Sequence, residues 1–326
     1  MINNNNQIKQ EIEKRSIYND TDSGKMFLYA LLAPFILSLL ISVVVSSIAS
    51  GQDIKSDVIT GHFGYDIVSS FLVFAVLVSL VFIYNKQNKI SHKALNLKFK
   101  MKWHTYLILI AIAVTSLLGI QYFISTIDDF LKLVHFPLQS DLGGLSPTNG
   151  WMYILSVIFL AITPALCEEL VFRGVILNGL RSRFNDYIAI TLSALMFALM
   201  HSSLQQLVYP FLMGLIMGWI VVRTGSLVSS MLVHLINNFL VVTFAFIQNK
   251  TGFSFDLPHK WWFYLLAIAL VLITFAIYYI IDRFYFKHKS YETREKTSIK
   301  TSKYLYISFG VSAILYLVAT ILAIAA

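Results

Sequence analysis

Long apolar runs constrain this chain more than any other feature. Nine stretches, at 26–47, 65–84, 104–124, 151–180, 187–201, 207–222, 227–247, 262–281 and 304–326, are dominated by Leu, Ile, Val, Phe and Ala. Crossing the hydrocarbon core of a bilayer takes about 20 helical residues. Hydrocarbon offers no partner to an exposed backbone group, so every run that crosses must be a helix. Composition agrees, since 57% of the 326 residues are hydrophobic and only 13% are charged, against roughly 25% charged in an average soluble domain. The expected fold is all-α: a polytopic transmembrane helical bundle of eight to nine spans. The runs at 187–201 and 207–222 are short and closely spaced, which leaves their shared boundary the least defined.

The loops carry the charge. The net charge is +8, yet the basic residues sit in short connections between apolar runs, where they set orientation rather than bind nucleic acid. With the amino terminus inside, only Lys55, Lys132, Lys250 and Lys260 of the 25 basic residues fall in outer loops. That bias predicts a multi-pass protein of the cell membrane with a cytoplasmic amino terminus and an outer carboxyl terminus. The first apolar run is too long for the core of a cleaved signal peptide and reads as an anchor that stays. The predicted organisation is a cytoplasmic tail at 1–25, amino-terminal spans at 26–150, a core at 151–247, and carboxy-terminal spans at 248–326. The outer segment 125–150 reads as a solvated connection that has room for an interfacial helix at 128–136. The mixed-charge segment 283–303 reads as a cytoplasmic linker that touches anionic headgroups. A single cysteine, Cys167, excludes an intrachain disulfide and a cysteine-based zinc site.

Against this apolar background a few residues stand out. Glu168 and Glu169 lie in the fourth run, His201 near the end of the fifth, and His234, Asn237 and Asn238 in the seventh. An ionisable group at bilayer depth is costly and points to an interior partner or a function. At a rise of ~1.5 Å per residue, Glu168 lies about 20 Å from the cytoplasmic end of its span, His201 about 21 Å, Asn238 about 18 Å and His234 about 12 Å. Polar residues from three helices therefore fall into one layer, and convergence on one buried site is expected.

Rotation about the helix axis separates them further. Glu169 and Arg173 are i and i+4 with the acid on the amino-terminal side, the favourable order for an ion pair. Glu168 points about 100° away from Glu169 and lacks that partner. Glu169–Arg173 is thus expected to be the structural pair and Glu168 the carboxylate available for chemistry. His234 and Asn238 share a face, and Asn237 is rotated off it. A carboxylate base, an imidazole that shares a water with it, and further donors for an oxyanion are the parts that hydrolyse an amide without a covalent intermediate. Other readings of the same residues are interhelical hydrogen bonding by either glutamate, a histidine or Asn238, and thiol chemistry at Cys167, for which nothing in the sequence provides an activating group.

The three clusters resemble the motifs of the CPBP family of intramembrane proteases. That family includes the eukaryotic CAAX prenyl endopeptidases and bacterial proteins once labelled abortive-infection proteins. Its E-E-x-x-x-R motif is similar to Glu168, Glu169 and Arg173 within CEELVFRG, its F-x-x-x-H motif to Phe197 and His201 in FALMH, and its H-x-x-x-N motif to His234 and Asn238 in HLINN. The resemblance covers about 151–247. It implies a helical membrane fold with the site inside the bundle, Glu168 and His201 activating water, His234 and Asn238 forming an oxyanion hole, and Phe197 packing beside them. The last span and the linker at 283–303 lie outside it.

The leading expectation is an intramembrane glutamic-type endopeptidase that needs no cofactor and acts on a membrane-anchored or amphipathic peptide in the lipid bilayer. One alternative makes Glu168, His201 and His234 the ligands of a catalytic zinc, although H-E-x-x-H is absent. Another is a non-catalytic immunity or scaffold protein of the same fold. A proton-coupled transporter would call for repeated broken helices, and only Pro164 hints at one.

Overall fold

A computed structural model of the protein describes residues 17–99, 101–133, 147–201, 205–253 and 302–325, together with a set of helical positions between 262 and 283. Among the described residues there is no β-strand, and eight main helices follow one another: α1 (Asp20–Gly51), α2 (Phe63–Gln87), α3 (Trp103–Leu133), α4 (Gly150–Leu180), α5 (Asp186–Leu199), α6 (Gln205–Thr224), α7 (Leu227–Thr251) and α8 (Lys303–Ala325). Six of them contain a stretch long and apolar enough to cross a membrane, namely α1, α2, α4, α7, Trp103–Gln121 of α3 and Leu207–Thr224 of α6. This all-helical, multi-pass architecture is the one expected. The fifth apolar run forms a helix of only 14 residues, and the part of α8 from Lys303 to Val318 is likewise apolar but short. Most of the run at 262–281 and most of the linker at 283–303 lie outside the described residues. The outer connection at 125–150 begins as a continuation of α3 to Leu133, while 134–146 lie outside the described residues.

Side-chain caps tie the helix ends together. Asn19 caps α1 by accepting the Asp22 amide at 3.0 Å, and the Asp22 carboxylate accepts the Asn19 amide at 2.8 Å, which satisfies two otherwise orphaned donors. The same Asp22 accepts the Tyr84 hydroxyl from the end of α2 at 2.7 Å. Ser23 donates to the Ile176 carbonyl of α4 at 2.8 Å, and Asp20 accepts the Ser302 amide just before α8 at 2.9 Å. Ser226, ahead of α7, donates to the Lys98 carbonyl at 2.6 Å. One end of the bundle therefore collects the starts of α1, α7 and α8 with the ends of α2 and α4. At the other end Tyr153 and Thr243 join α4 to α7 at 3.0 Å.

Close backbone approach places α8 on α1. A Cβ on Gly24 would stand 2.6 Å from the Leu305 nitrogen, so only glycine lets these helices meet. Beyond this contact the side chains of Phe35, Ile36, Leu39, Leu40 and Val43 on α1 are exposed and form a lipid-facing surface. A second close approach joins α5 and α6, where a Cβ on Gly214 would stand 2.9 Å from that of Ala194.

Helix α4 is not a regular α-helix. Two wider turns of π type, Val157–Ile162 and Leu170–Ile176, flank Thr163–Glu169. Pro164 has no N–H, so it cannot serve the Leu160 carbonyl four residues earlier as an α-helical donor. In the second wide turn the carbonyls accept side chains instead. Ser193 donates to Phe172 at 3.1 Å, and Asn178 donates to Arg173 at 3.1 Å and to Gly174 at 2.9 Å. Such insertions carry backbone polar groups through an apolar interior and often mark functional positions.

Candidate active site

The regular turn between the two wide ones presents Glu168 and Glu169 to different neighbours. Glu169 is fully buried and its Oε1 accepts Arg173 Nη1 at 2.8 Å, with both side chains sealed from solvent. Arg173 also donates through Nη2 to the Gly214 carbonyl at 3.4 Å, and its guanidinium lies over the Phe197 ring at 4.5 Å from the centroid. The closeness of α5 and α6 at Gly214 brings that carbonyl within reach. A buried charge pair of this kind is tolerable because each member has a partner of opposite sign and a hydrogen bond.

Glu169 has a second partner that its sequence position does not reveal. His234 Nδ1, from α7, donates to the same Oε1 at 3.0 Å. The other ring nitrogen, Nε2, faces Glu168 Oε2 at 3.9 Å. His234 therefore spans the two adjacent glutamates, one on each side of its ring. Glu168 and His234 are nearly sealed from solvent, at 9% and 5% exposure.

Phe197 organises the remaining rings. It makes an edge contact with Phe172 at 5.1 Å between centroids, with His201 at 5.0 Å and with His234 at 6.0 Å. Both imidazoles thus flank one phenyl ring, whose opposite character toward Arg173 is cation–π. His201 stands just past the end of α5, half-buried, with Nδ1 at 2.9 Å from the Phe197 carbonyl. A carbonyl only accepts, so Nδ1 carries the proton and Nε2 is the acceptor in the neutral ring. Among the described residues no hydrogen bond or ion pair joins His201 to Glu168.

Asn238 is turned toward α4. Its Nδ2 donates to the Leu160 carbonyl at 3.0 Å, the carbonyl that Pro164 cannot serve as an α-helical donor. Its Oδ1 accepts Asn237 Nδ2 at 3.2 Å, and Asn237 Oδ1 accepts the Tyr209 hydroxyl of α6 at 2.6 Å. The structure thus brings Glu168, Glu169, Arg173, Phe197 and His234 together, sets His201 against Phe197, and links Asn238 to both α4 and α6. Neither Tyr209 nor Asn237 is marked by the sequence as part of this row. Tyrosine near a span end is ordinary in a membrane protein, and nothing along the chain shows which residue meets Asn237.

Cys167 is buried beside this cluster and has no disulfide partner. Among the described residues no three of His, Cys, Asp and Glu form a group that could hold a metal ion.

Comparison with curated proteins and with solved structures returned no match. A family model does match: residues 150–240 fit that of the type II CAAX prenyl endopeptidases of Rce1-like type. The matched segment begins with α4 and ends within α7, and so contains every residue of the cluster just described. On these grounds the segment 150–240 of this multi-pass membrane protein is similar to the Rce1-like type II CAAX prenyl endopeptidases.

Proposed function

We propose that this chain is an intramembrane endopeptidase that hydrolyses a peptide bond in a membrane-anchored or amphipathic peptide. The observation that carries the reading is the placement of His234 between two buried glutamates of different company, Glu169 paired with Arg173 and Glu168 without such a cation. Glu168 is the base that takes a proton from water, and His201 shares that water through Nε2. The water oxygen attacks the scissile carbonyl carbon and the carbonyl oxygen becomes an oxyanion. His234 and Asn238 donate to that oxygen. Since Nδ1 of His234 already donates to Glu169, donation from Nε2 requires the imidazolium form, and the Glu169 carboxylate supplies the countercharge. Collapse of the intermediate breaks the C–N bond, and the proton held by Glu168 passes to the leaving amine.

Several features accompany this assignment. Residues 151–247 form the catalytic core, and 26–150 and 248–326 are the flanking membrane parts. The end of the bundle that collects the starts of α1, α7 and α8 faces the cytoplasm. In this reading each step is assigned to a side chain and none to a metal.

The test is turnover of internally quenched peptides in proteoliposomes, using a panel with prenylated CAAX ends and with amphipathic helical ends. At least one peptide is expected to be cut by the native chain, with the cut abolished in Glu168→Gln and unchanged after exhaustive chelation. No turnover above the Glu168→Gln level with any member would count against proteolysis. Loss of turnover on chelation, restored by zinc, would replace the water-activating carboxylate by a metal.

A further inference from the structure

Three side chains and one backbone carbonyl lie in a row that runs through the proposed oxyanion donor. The Tyr209 hydroxyl donates to Asn237 Oδ1 at 2.6 Å, Asn237 Nδ2 donates to Asn238 Oδ1 at 3.2 Å, and Asn238 Nδ2 donates to the Leu160 carbonyl at 3.0 Å. The row crosses three helices, from α6 through two neighbouring residues of α7 to α4. Asn237 is 2% exposed, and its amide is oriented by a phenol that can donate but is not needed as an acceptor here.

We propose that Tyr209 and Asn237 are positioning residues that fix the carboxamide of Asn238, with the Leu160 carbonyl as its far anchor. This rests on the assignment of Asn238 as an oxyanion donor. A primary amide has two ends of similar size, and flipping it by half a turn exchanges donor for acceptor. An oxyanion site needs the donor end held toward the reacting oxygen before the charge develops. Asn238 alone, on a helix face at partial exposure, has nothing local that chooses between the two orientations. The row supplies the choice at both ends. Asn237 offers an N–H, which only Oδ1 of Asn238 can accept. The Leu160 carbonyl offers a lone pair, which only Nδ2 can meet. The Leu160 carbonyl, which only accepts, sets the sense of the row; Asn237 Oδ1 is then left to accept, and the Tyr209 hydroxyl donates to it and holds that amide in place. One Nδ2–H of Asn238 is used on Leu160 and the second remains for substrate.

Pro164 favours the anchor. In an unbroken helix the Leu160 carbonyl would accept the amide N–H of residue 164, and proline has none. The wide turn Val157–Ile162 and Pro164 therefore present to α7 a carbonyl that ordinary helix geometry would occupy.

The experiment is a double-mutant cycle on the full chain in proteoliposomes, with whichever peptide of the panel the native chain cuts and Glu168→Gln does not. Tyr209→Phe removes one hydroxyl and keeps the ring. It is expected to lower kcat about tenfold with KM within about twofold of native, the signature of a misplaced donor rather than lost binding. Asn237→Ala is expected to do the same, and Tyr209→Phe combined with Asn237→Ala no worse. In the Asn238→Ala background, Tyr209→Phe should have no further effect, because the group it positions is gone. A full tenfold loss in that background, or additive losses, would show that Tyr209 acts through packing and overturn the relay. Unchanged kcat in both single variants, with kcat lowered in Asn238→Ala, would also overturn it and leave the parent assignment standing. Full activity of Asn238→Ala, or no peptide cut at all, would bring down the parent assignment itself.

Discussion

Glu169 and Glu168 are neighbours in the chain and opposites in environment. Glu169 Oε1 accepts from both Arg173 and His234, whereas Glu168, among the described residues, has no hydrogen bond to Arg173 and faces the far nitrogen of the same histidine at 3.9 Å. Neutralising them should therefore have different consequences. Glu169→Gln leaves Arg173 charged, buried and facing a neutral amide, which typically costs about 3–5 kcal/mol. Thermal unfolding in detergent should show a large drop for Glu169→Gln and native-like stability for Glu168→Gln, and equal stability of the two would contradict the division of roles. The i, i+4 spacing of Glu169 and Arg173 made their pairing readable along the chain. The bond from His234 to Glu169 was not readable, because it depends on how α7 is rotated against α4. Asn237 illustrates the same limit. Helical phase removed it from the face of His234 and Asn238, and in the fold it is the residue that orients Asn238.

At the scale of elements, the site depends on how closely α5 and α6 approach. Gly214 faces Ala194 where any Cβ would be only 2.9 Å away, and the Gly214 carbonyl accepts Arg173. Gly214→Val should separate the two helices and lower stability by about 1–3 kcal/mol. Because Phe197 and His201 belong to α5 and its end, peptide turnover should fall as well. A variant as stable and active as the native chain would show that the approach is unimportant. Six of the nine span positions were legible, because hydrophobic run length is a local property of sequence. The two wide turns in α4 were not. Pro164 marked a break, but the carbonyls of the second wide turn are satisfied by Ser23, Asn178 and Ser193, two of which come from other helices. Shortness of the fifth run was legible too, and α5 indeed has 14 residues.

Across the whole molecule, one end of the bundle holds the starts of α1, α7 and α8 and the ends of α2 and α4, joined by Asp20, Asp22, Ser23 and Ser226. This agrees with an alternating path through a membrane, and in the orientation proposed from the loop charges that end faces the cytoplasm. The chain has a single native cysteine, which is buried, so cysteines placed at exposed positions report topology cleanly. In a Cys167→Ala background, a membrane-impermeant maleimide applied to intact cells should label Lys250→Cys and leave Lys93→Cys unlabelled until the membrane is permeabilised. The reverse pattern would invert the proposed orientation. The last helix, which no family motif reaches, gains a place from this architecture: α8 lies on α1 at Gly24, and α1 in turn holds the end of α4 that follows Arg173.

We propose that this membrane protein cuts peptide bonds with water activated by Glu168. Quantitative mass spectrometry of peptide termini in membranes from cells carrying the native chain or Glu168→Gln, at matched protein levels, addresses it directly. The account predicts at least one membrane-associated precursor that accumulates with Glu168→Gln, and a matching new terminus that appears only with the native chain. Identical terminus profiles, with both proteins folded and in the membrane, would contradict it.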